Sequence, residues 1–351
     1  TAGARAQVTT GSILGTVKDN SGAAVKGARV TVTDVAKSAT ANYTTDEEGN
    51  YNAPFLIPGA YTVAVEAQGF KKAVTNNVVV QIDQKARIDF NLEVGQLTEV
   101  AEISAAVTLV NTESSEIGQV IEERSVKELP LNGRNFAQLV YLTPGVTPGQ
   151  SGENLSGAST FNPRASSNFN SLGHHANSNG WLVDGIDNNE YTFNTVIVQP
   201  TVESVREFKT LTGTFSAEFG RGAGVVAVST KSGSNDLHGG LFEFIRNDKL
   251  DAFQHQFVNP RPTTKPPFRR NQFGGYLSGP VWIPKLYDGK NKSFFFFDYA
   301  GLREIRGTTF VNTVPTPKAG TGDFSEYLGA NLCANSAGAA GACGGAFSTP
   351  L

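Results

Sequence analysis

The strongest constraint on the fold is a series of short segments in which apolar and polar residues alternate between turn-forming residues. Val30 and Val32 share one face of such a segment, and residues 61–65 repeat the pattern. A repeat of two residues is that of a β-strand with one buried face. Several strands of this length, with turns such as residues 46–50 between them, predict a seven-strand-type β-sandwich over residues 11–93.

Charge and hydropathy narrow the class of protein further. The 351 residues include 29 Lys and Arg against 32 Asp and Glu, a net charge of -3 that offers no basic field for nucleic acid. Low charge with 38 glycines and 23 phenylalanines favours β-structure with many turns. No apolar run is long enough for a transmembrane helix, whereas membrane β-strands, whose signal is weaker, stay open.

The first residues carry a processing pattern. The chain contains no methionine, and residues 4–6 precede Gln7 in the small-x-small pattern of signal-peptidase cleavage. We expect residues 1–10 to be a signal-peptide remnant, with an ordinary flexible start as the alternative.

Residues 111–235 combine helical and strand patterns, which predicts a small α+β domain. An apolar stripe at helical spacing follows Asn132 and Asn135, either of which could cap the helix. Short apolar strands are predicted at residues 181–183 and 225–230. The helical stripe consists of Phe136, Leu139, Val140 and Leu142.

Residues 236–351 contain three aromatic-rich segments of about ten residues, the length of a tilted membrane-spanning strand. They are Leu237–Arg246, Asn271–Val281 and Ser293–Arg303. From the residues alone, a large soluble β-domain is an equal alternative.

Three motifs that could carry chemistry lack the context that each requires. Residues 220–224 are rich in glycine, but a strand follows them where a phosphate loop needs a helix. His174 and His175 have no third ligand at useful spacing. Residues 184–188 lack the downstream glutamate of a calcium loop. We therefore predict no enzyme activity, no cofactor and no metal site.

Several runs of the first domain match a known family in order and spacing: residues 15–17, 23–28, 45–51, 58–61 and 69–70. With them the domain closely resembles the carboxypeptidase regulatory-like family, a transthyretin-like sandwich. The resemblance implies a fold and an accessory role rather than catalysis.

A second set of runs lies in residues 111–235: 129–136 (LPLNGRNF), 142–146, 181–185, 205–209, 216–221 and 224–233. Together they closely resemble the plug domain of TonB-dependent receptors. With the sandwich before it and aromatic strands after it, the chain is similar to the Oar-like branch. The resemblance implies that residues 236–351 begin an outer-membrane β-barrel. Because so few strands cannot close a barrel, we expect an N-terminal fragment of a longer protein.

The resemblance also implies a location and partners. We expect a receptor of the cell outer membrane with a periplasmic N-terminal domain. Its partners would be a TonB-type periplasmic energy-transducing protein, outer-membrane lipid and an unidentified solute, with carbohydrate and peptide both open. Import of that solute is the leading hypothesis. A structural or adhesive surface protein that reuses the architecture is the alternative, and an enzyme accessory module is a third.

Energy coupling in this family needs an extended segment that the periplasmic partner can bind by strand addition. Residues 94–110 are predicted as a linker, and the acidic and β-prone part of it is the candidate segment. We expect it to be mobile until the partner adds its strand. The candidate residues are Glu99, Val100, Ala101, Glu102 and Ile103.

The two cysteines, Cys333 and Cys343, both lie in a stretch rich in glycine and alanine. They lack the four-ligand pattern of a structural zinc site. In an oxidising compartment they would close a short loop as a disulfide.

Overall fold

The computed structural model describes residues 9–95, 100–102, 116–149, 169–175, 178–190, 195–219, 222–252, 265–307 and 315–323. The chain forms two compact units. The first comprises residues 1–244 and 272–302, and the second comprises residues 245–271 and 303–351. As predicted, the described part is mainly β-structure. No helix in these ranges is long and apolar enough to cross a membrane.

The first domain is a sandwich of two sheets. Its strands are β1 (Gly11–Asp19), β2 (Arg29–Asp34), β3 (Thr40–Thr44), β4 (Asn50–Leu56), β5 (Gly59–Glu66), β6 (Lys72–Val80), β7 (Lys85–Arg87) and β8 (Phe90–Leu92). One sheet has the order β4-β1-β7, with β8 also paired to β1, and the other contains β3-β2-β5-β6. Both β7 and β8 run parallel to β1, one after the other. Counted as one interrupted strand, they give the sandwich its predicted seven-strand form.

The sandwich core follows the predicted alternation. Val30 and Val32 are buried, as are Tyr61, Val63 and Val65. Burying a side chain of this size stabilises the fold by roughly 1.5–3 kcal/mol. Phe90 is also buried, and the hydroxyl of Tyr51 donates to the Ile88 carbonyl at 2.8 Å. The sequence did not predict β3, because its polar residues show no apolar repeat.

A further strand, β9 (Val100–Glu102), extends the second sheet. It lies parallel to β6, so the order of that sheet is β3-β2-β5-β6-β9. Three residues of the predicted linker are therefore part of the sandwich sheet.

The plug region, residues 111–235, has a central five-stranded sheet. Its strands are β10 (Gly118–Glu122), β11 (Val146–Pro148), β12 (Phe169–Ser171), β13 (Gly180–Val183), β14 (Ile186–Asp187), β15 (Asn189–Glu190), β16 (Thr195–Val196), β17 (Val205–Thr212) and β18 (Gly224–Thr230). The sheet order is β10-β17-β18-β13-β14. The helices are α1 (Glu123–Glu128) and three 3-10 helices at Asn132–Arg134, Phe136–Leu142 and Ala217–Phe219.

Aromatic side chains form the core of the plug region. Phe136 contacts both Trp181 and Phe208, at ring-centroid distances of 6.4 and 5.6 Å. The side chain of Asn135 accepts a hydrogen bond from the backbone of Ala137 and so caps the helix, as one of the two predicted caps.

Two details of the predicted helix are wrong. Residues 136–142 form a 3-10 helix with about three residues per turn, so Leu142 leaves the buried stripe and is half exposed. The sequence also predicts helical structure from Val120 onwards, whereas residues 118–122 pair with β17 as a strand.

The three aromatic segments after residue 235 are the long strands β19 (His238–Asn247), β20 (Phe268–Pro280) and β23 (Phe294–Arg306). Two short strands, β21 (Trp282–Ile283) and β22 (Tyr287–Asp288), form a hairpin between β20 and β23, and α2 (Pro317–Gly320) follows in the second unit. The long strands form one sheet with β20 in the middle. We call the parts of these three strands within the first unit the wall.

The two faces of the wall differ in chemistry. The inward face contacts the plug region through Phe242, Gln272 and Asp298. The outward face includes Leu241 and Phe297, which precede Phe242 and Asp298 in the sequence and are 94% and 64% exposed. This alternation of an outward apolar face and an inward face with polar groups is the pattern of an outer-membrane barrel strand.

Candidate coupling and docking site

The structure describes three of the five residues predicted to bind the periplasmic partner. Val100, Ala101 and Glu102 form β9 and pair with Lys72, Ala73 and Val74 of β6, respectively. Glu99 and Ile103 lie outside the described residues, as do Cys333 and Cys343. The described part of the candidate segment is thus extended and paired along one edge.

A cluster of buried charges joins the sandwich to the plug region beyond the other end of β6 from β9. The ammonium of Lys209, on β17, donates to the carboxylate of Asp83 at 2.6 Å and to that of Glu116 at 2.9 Å. The side chain of Lys209 is 8% exposed. Asp83 follows β6 of the sandwich, and Glu116 precedes β10 of the plug region. We call these three residues the Lys209 clasp.

Neighbouring contacts extend the same interface. The Glu207 carboxylate, two residues before Lys209 on β17, accepts a hydrogen bond from the backbone N–H of Ile82. The Gln81 amide donates to the Glu122 carboxylate at 3.0 Å. The turn after β6 is therefore held by β17 and by the end of β10.

The electrostatics of the clasp follow from two carboxylates sharing one ammonium. Burial, followed by the hydrogen bond with Glu116, raises the pKa of Asp83 to about 6, although Lys209 opposes that shift. Burial also raises the pKa of Glu116, but hydrogen bonds with Asp83 and Lys209 outweigh it, and the net shift is downward. When carboxylates share a site in this way, one of them retains its proton more strongly.

Two contacts seat the plug region on the wall, and Arg134 makes the first. Its guanidinium pairs with the Glu203 carboxylate and lies over the rings of Phe242 and Phe244, 4.7 and 4.0 Å from their centroids. The pairing matters because Arg134 and Gly133 both have positive φ, at 56° and 74°. For a non-glycine residue that conformation costs free energy, and surrounding contacts must hold it.

The second contact with the wall is polar. The Thr201 hydroxyl donates to the Asp298 carboxylate at 2.8 Å. The Gln272 amide donates to the Gly133 carbonyl at 3.2 Å. The inward face of the wall therefore binds the plug region through side chains on β20 and β23.

One of the motifs set aside on sequence grounds has a structural role. Asp184 accepts hydrogen bonds from the backbone and hydroxyl of Thr230, which ties the turn after β13 to the end of β18. His174 and His175 lie in a turn after β12. Across the described ranges, no group of three His, Cys, Asp or Glu residues could hold a metal ion.

Sequence reasoning missed the Lys209 clasp. In residues 205–211 charged and apolar residues alternate, a pattern typical of a half-exposed strand. In the structure almost every residue of β17 is buried on both faces. The unusual signal was the pair of charges, Glu207 and Lys209, in a strand that has neighbours on both edges.

Comparisons with known proteins match the same architecture. Residues 12–93 match the carboxypeptidase regulatory-like domain, and residues 229–349 match an outer membrane beta barrel domain. The chain is 27% identical over 299 residues to the TonB-dependent transporter Oar of Myxococcus xanthus. That alignment covers 81% of this chain and 27% of the relative, so the chain spans about a quarter of its length.

Solved structures resemble the chain more distantly. The siderophore receptor PirA from Acinetobacter baumannii is 22% identical, with 47% of this chain and 22% of that chain covered and a TM-score of 0.32. Hydroxyquinol 1,2-dioxygenase from Pseudomonas putida DLL-E4 is 13% identical, with 25% and 57% covered and a TM-score of 0.22. Likenesses with such low TM-scores do not bear on function.

Proposed function

We propose that this chain is part of an Oar-like TonB-dependent receptor of the outer membrane, and that this receptor imports a solute with energy supplied from the periplasm. The observation that carries the proposal is the extent of its similarity to the Oar transporter. The alignment of 299 residues is much longer than the sandwich, which covers residues 12–93. The similarity therefore also includes a large part of the plug region, of the wall or of both.

The seating of the plug region supports a transport role. Arg134 and Gln272 make contacts that span the plug and the wall, and the inward side of the wall carries polar groups. A plug held by ion pairs and hydrogen bonds needs work to displace. An external energy source fits that requirement better than passive diffusion does.

The segment from Glu99 to Ile103 is the proposed site for the TonB-type partner. Its described residues form the last strand in the order β3-β2-β5-β6-β9. A strand at the end of a sheet presents backbone donors and acceptors to an added strand. Because β9 is already extended on β6, part of the ordering entropy of such an addition would be lost before binding.

The solute is proposed only as a class. Carbohydrate and peptide both remain open, and outer-membrane lipid would contact the apolar outward face of the wall. The structural or adhesive alternative would need no coupling segment, so evidence of partner binding at β9 separates the two functions.

The proposal is tested by placing a photo-crosslinking amino acid at Ala101 of the full-length receptor in its own cells. We expect an adduct with the TonB-type protein. The same amino acid at Thr31, on β2 of the sandwich, is the control and should give no such adduct. An adduct missing at Ala101, with normal amounts of receptor in the outer membrane, would contradict this segment as the coupling site.

A further inference from the structure

The chain path through the Lys209 clasp encloses the candidate coupling segment. Asp83 lies just after β6, Glu116 lies just before β10, and both carboxylates bind the ammonium of Lys209. Since 116 − 83 = 33, the clasp closes a loop with 32 residues between its two ends. That loop contains β7, β8 and β9. The candidate coupling segment therefore lies between the two arms of the clasp along the chain.

The two arms of the clasp are anchored to different domains. Asp83 belongs to the turn after β6, which β17 also holds through the Ile82 N–H and Glu207. Glu116 belongs to the plug region, where its second carboxylate oxygen accepts from the Ser216 N–H at 3.3 Å. Breaking the Asp83 arm separates the sandwich from Lys209, whereas breaking the Glu116 arm loosens the start of β10.

The Asp83 arm shows a sign of local strain. Its backbone has a φ of 53°, a left-handed conformation that few non-glycine residues adopt. Such a conformation persists where surrounding contacts hold it. The contacts around it are the ion pair with Lys209 and the hydrogen bond from the Gln84 N–H to the Gln81 carbonyl, which closes the same turn.

A buried ion pair of this kind is either closed and shielded from water or open and hydrated. While both carboxylates are in place, the ammonium is satisfied in an environment with little water. Once a partner leaves, a buried charge is left without compensation, which is strongly unfavourable until water enters. Opening is therefore cooperative with hydration of the interface.

We propose that the Lys209 clasp is a latch that keeps the sandwich docked on the plug until the segment between Asp83 and Glu116 is pulled. This proposal rests on the proposed function in one respect only, namely that the TonB-type partner applies the pull. Docking through Lys209 is a property of the folded chain. The docked sandwich thereby resists displacement of the plug, and it also contains the proposed coupling strand.

The chain offers a matched control for a test of the latch. Lys231, after β18, is a second buried lysine of the plug region and pairs with Glu123 at 3.1 Å. Lys231 also donates to the Glu203 carbonyl of the plug region and lies over the Tyr276 ring of the wall, 5.9 Å from its centroid. K231M therefore removes a buried lysine from the same domain without touching the sandwich.

The experiment is hydrogen exchange on the purified full-length receptor. In K209M we expect amides of residues 81–84 and 116–122 to exchange at least tenfold faster, while β2 and β18 keep the wild-type rate. K231M should leave residues 81–84 unchanged. Unchanged exchange in K209M, or equal acceleration in K231M, would overturn the latch.

A second variant covers the case in which K209M fails to fold. D83A removes one arm, acceptor included, and leaves Glu116 on Lys209, so we expect faster exchange at residues 81–84 and little change at residues 116–122. Equal change at both sites, or none at either, would contradict the two-arm design. Neither readout depends on transport, so failure of the latch and failure of the proposed function are distinguishable.

The pulling step is tested with a handle attached at Glu102→Cys in a receptor held in a lipid nanodisc. Under rising force the wild-type background should show an early opening step. K209M should lose that step, and K231M should keep it. A step at the same force in all three proteins would refute the proposal.

Discussion

Single residues decide how the sandwich, the plug and the wall are held together, and two of them are buried cations. Lys209 joins the sandwich to the plug, and Arg134 joins the plug to the wall. Both depend on carboxylates that have little access to water. Removing one partner from such a pair costs more than the pair itself contributes, because the other charge stays buried.

The first prediction concerns pH and Asp83. Its pKa is about 6 in the folded protein against an ordinary value of 3.8, so the folded state binds more protons between those values. Its contribution to stability is therefore greatest below the lower value and falls as pH rises to about 6. We expect wild type to lose stability relative to D83N over that window, and to change no further above it.

Chemical unfolding at a series of pH values measures this difference. Subtracting the two curves removes the titration of groups that do not interact with Asp83. A difference that grows in favour of wild type as pH rises from 4 to 6 would contradict the assignment.

The second prediction concerns Arg134. R134M leaves the Glu203 carboxylate buried without its partner, so we expect the free energy of unfolding to fall by about 3–5 kcal/mol. The control is R124M, on α1, whose side chain is 82% exposed and pairs with Glu128. An exposed pair of this kind contributes about 0–1 kcal/mol. Equal losses in the two variants, measured by unfolding in detergent, would show that burial of Arg134 is unimportant.

At the scale of strands and helices, the sandwich and the long aromatic strands could be predicted from the sequence. Residues 61–65 alternate strictly, and Phe294–Arg306 is long and aromatic, so each pattern has one dominant interpretation. The 3-10 form of residues 136–142 could not be predicted, since apolar residues spaced by three and four suit both helices. Nor could β9, because its pairing with β6 depends on a tertiary contact.

The third prediction concerns the sandwich as an element. Its core is made of side chains from β1 to β8, so residues 9–95 should fold alone and unfold cooperatively on heating. Val80 and Val79 are adjacent on β6, but Val80 is buried and Val79 is 42% exposed. We expect V80A to cost about 2 kcal/mol, at roughly 0.8 kcal/mol for each buried carbon plus a cavity term. V79A should change stability little.

Calorimetry of the isolated segment gives both results. A segment that shows no cooperative transition would mean that the sandwich needs the plug to fold. Equal effects of V80A and V79A would mean that the Val80 side of β6 is no more buried than the Val79 side.

At the scale of the whole molecule, the described contacts form a continuous path within the first unit. The wall holds the plug through Arg134 and Asp298, and the plug holds the sandwich through Lys209. The sandwich in turn holds β9 on β6. A chain built in this way places the proposed coupling strand at one end of the path and the membrane-facing strands at the other.

The architecture was predictable from the sequence, whereas this path was not. The family motifs placed the plug and the first barrel strands in order. The residues that join them, such as Glu116 and Thr201, belong to no motif and are ordinary polar residues until the chain folds. Their roles depend on which distant side chains they meet.

The central claim, energy-coupled uptake through the segment at β9, is tested most directly by one comparison in cells. V100P removes a backbone donor and fixes φ, which weakens any strand ladder, whereas V100A keeps the backbone intact. Growth on panels of carbohydrates and peptides first identifies a solute that the receptor-deletion strain fails to take up. We predict that V100P abolishes uptake of that solute at normal surface abundance and normal solute binding, while V100A retains it. Full uptake by V100P would contradict the account.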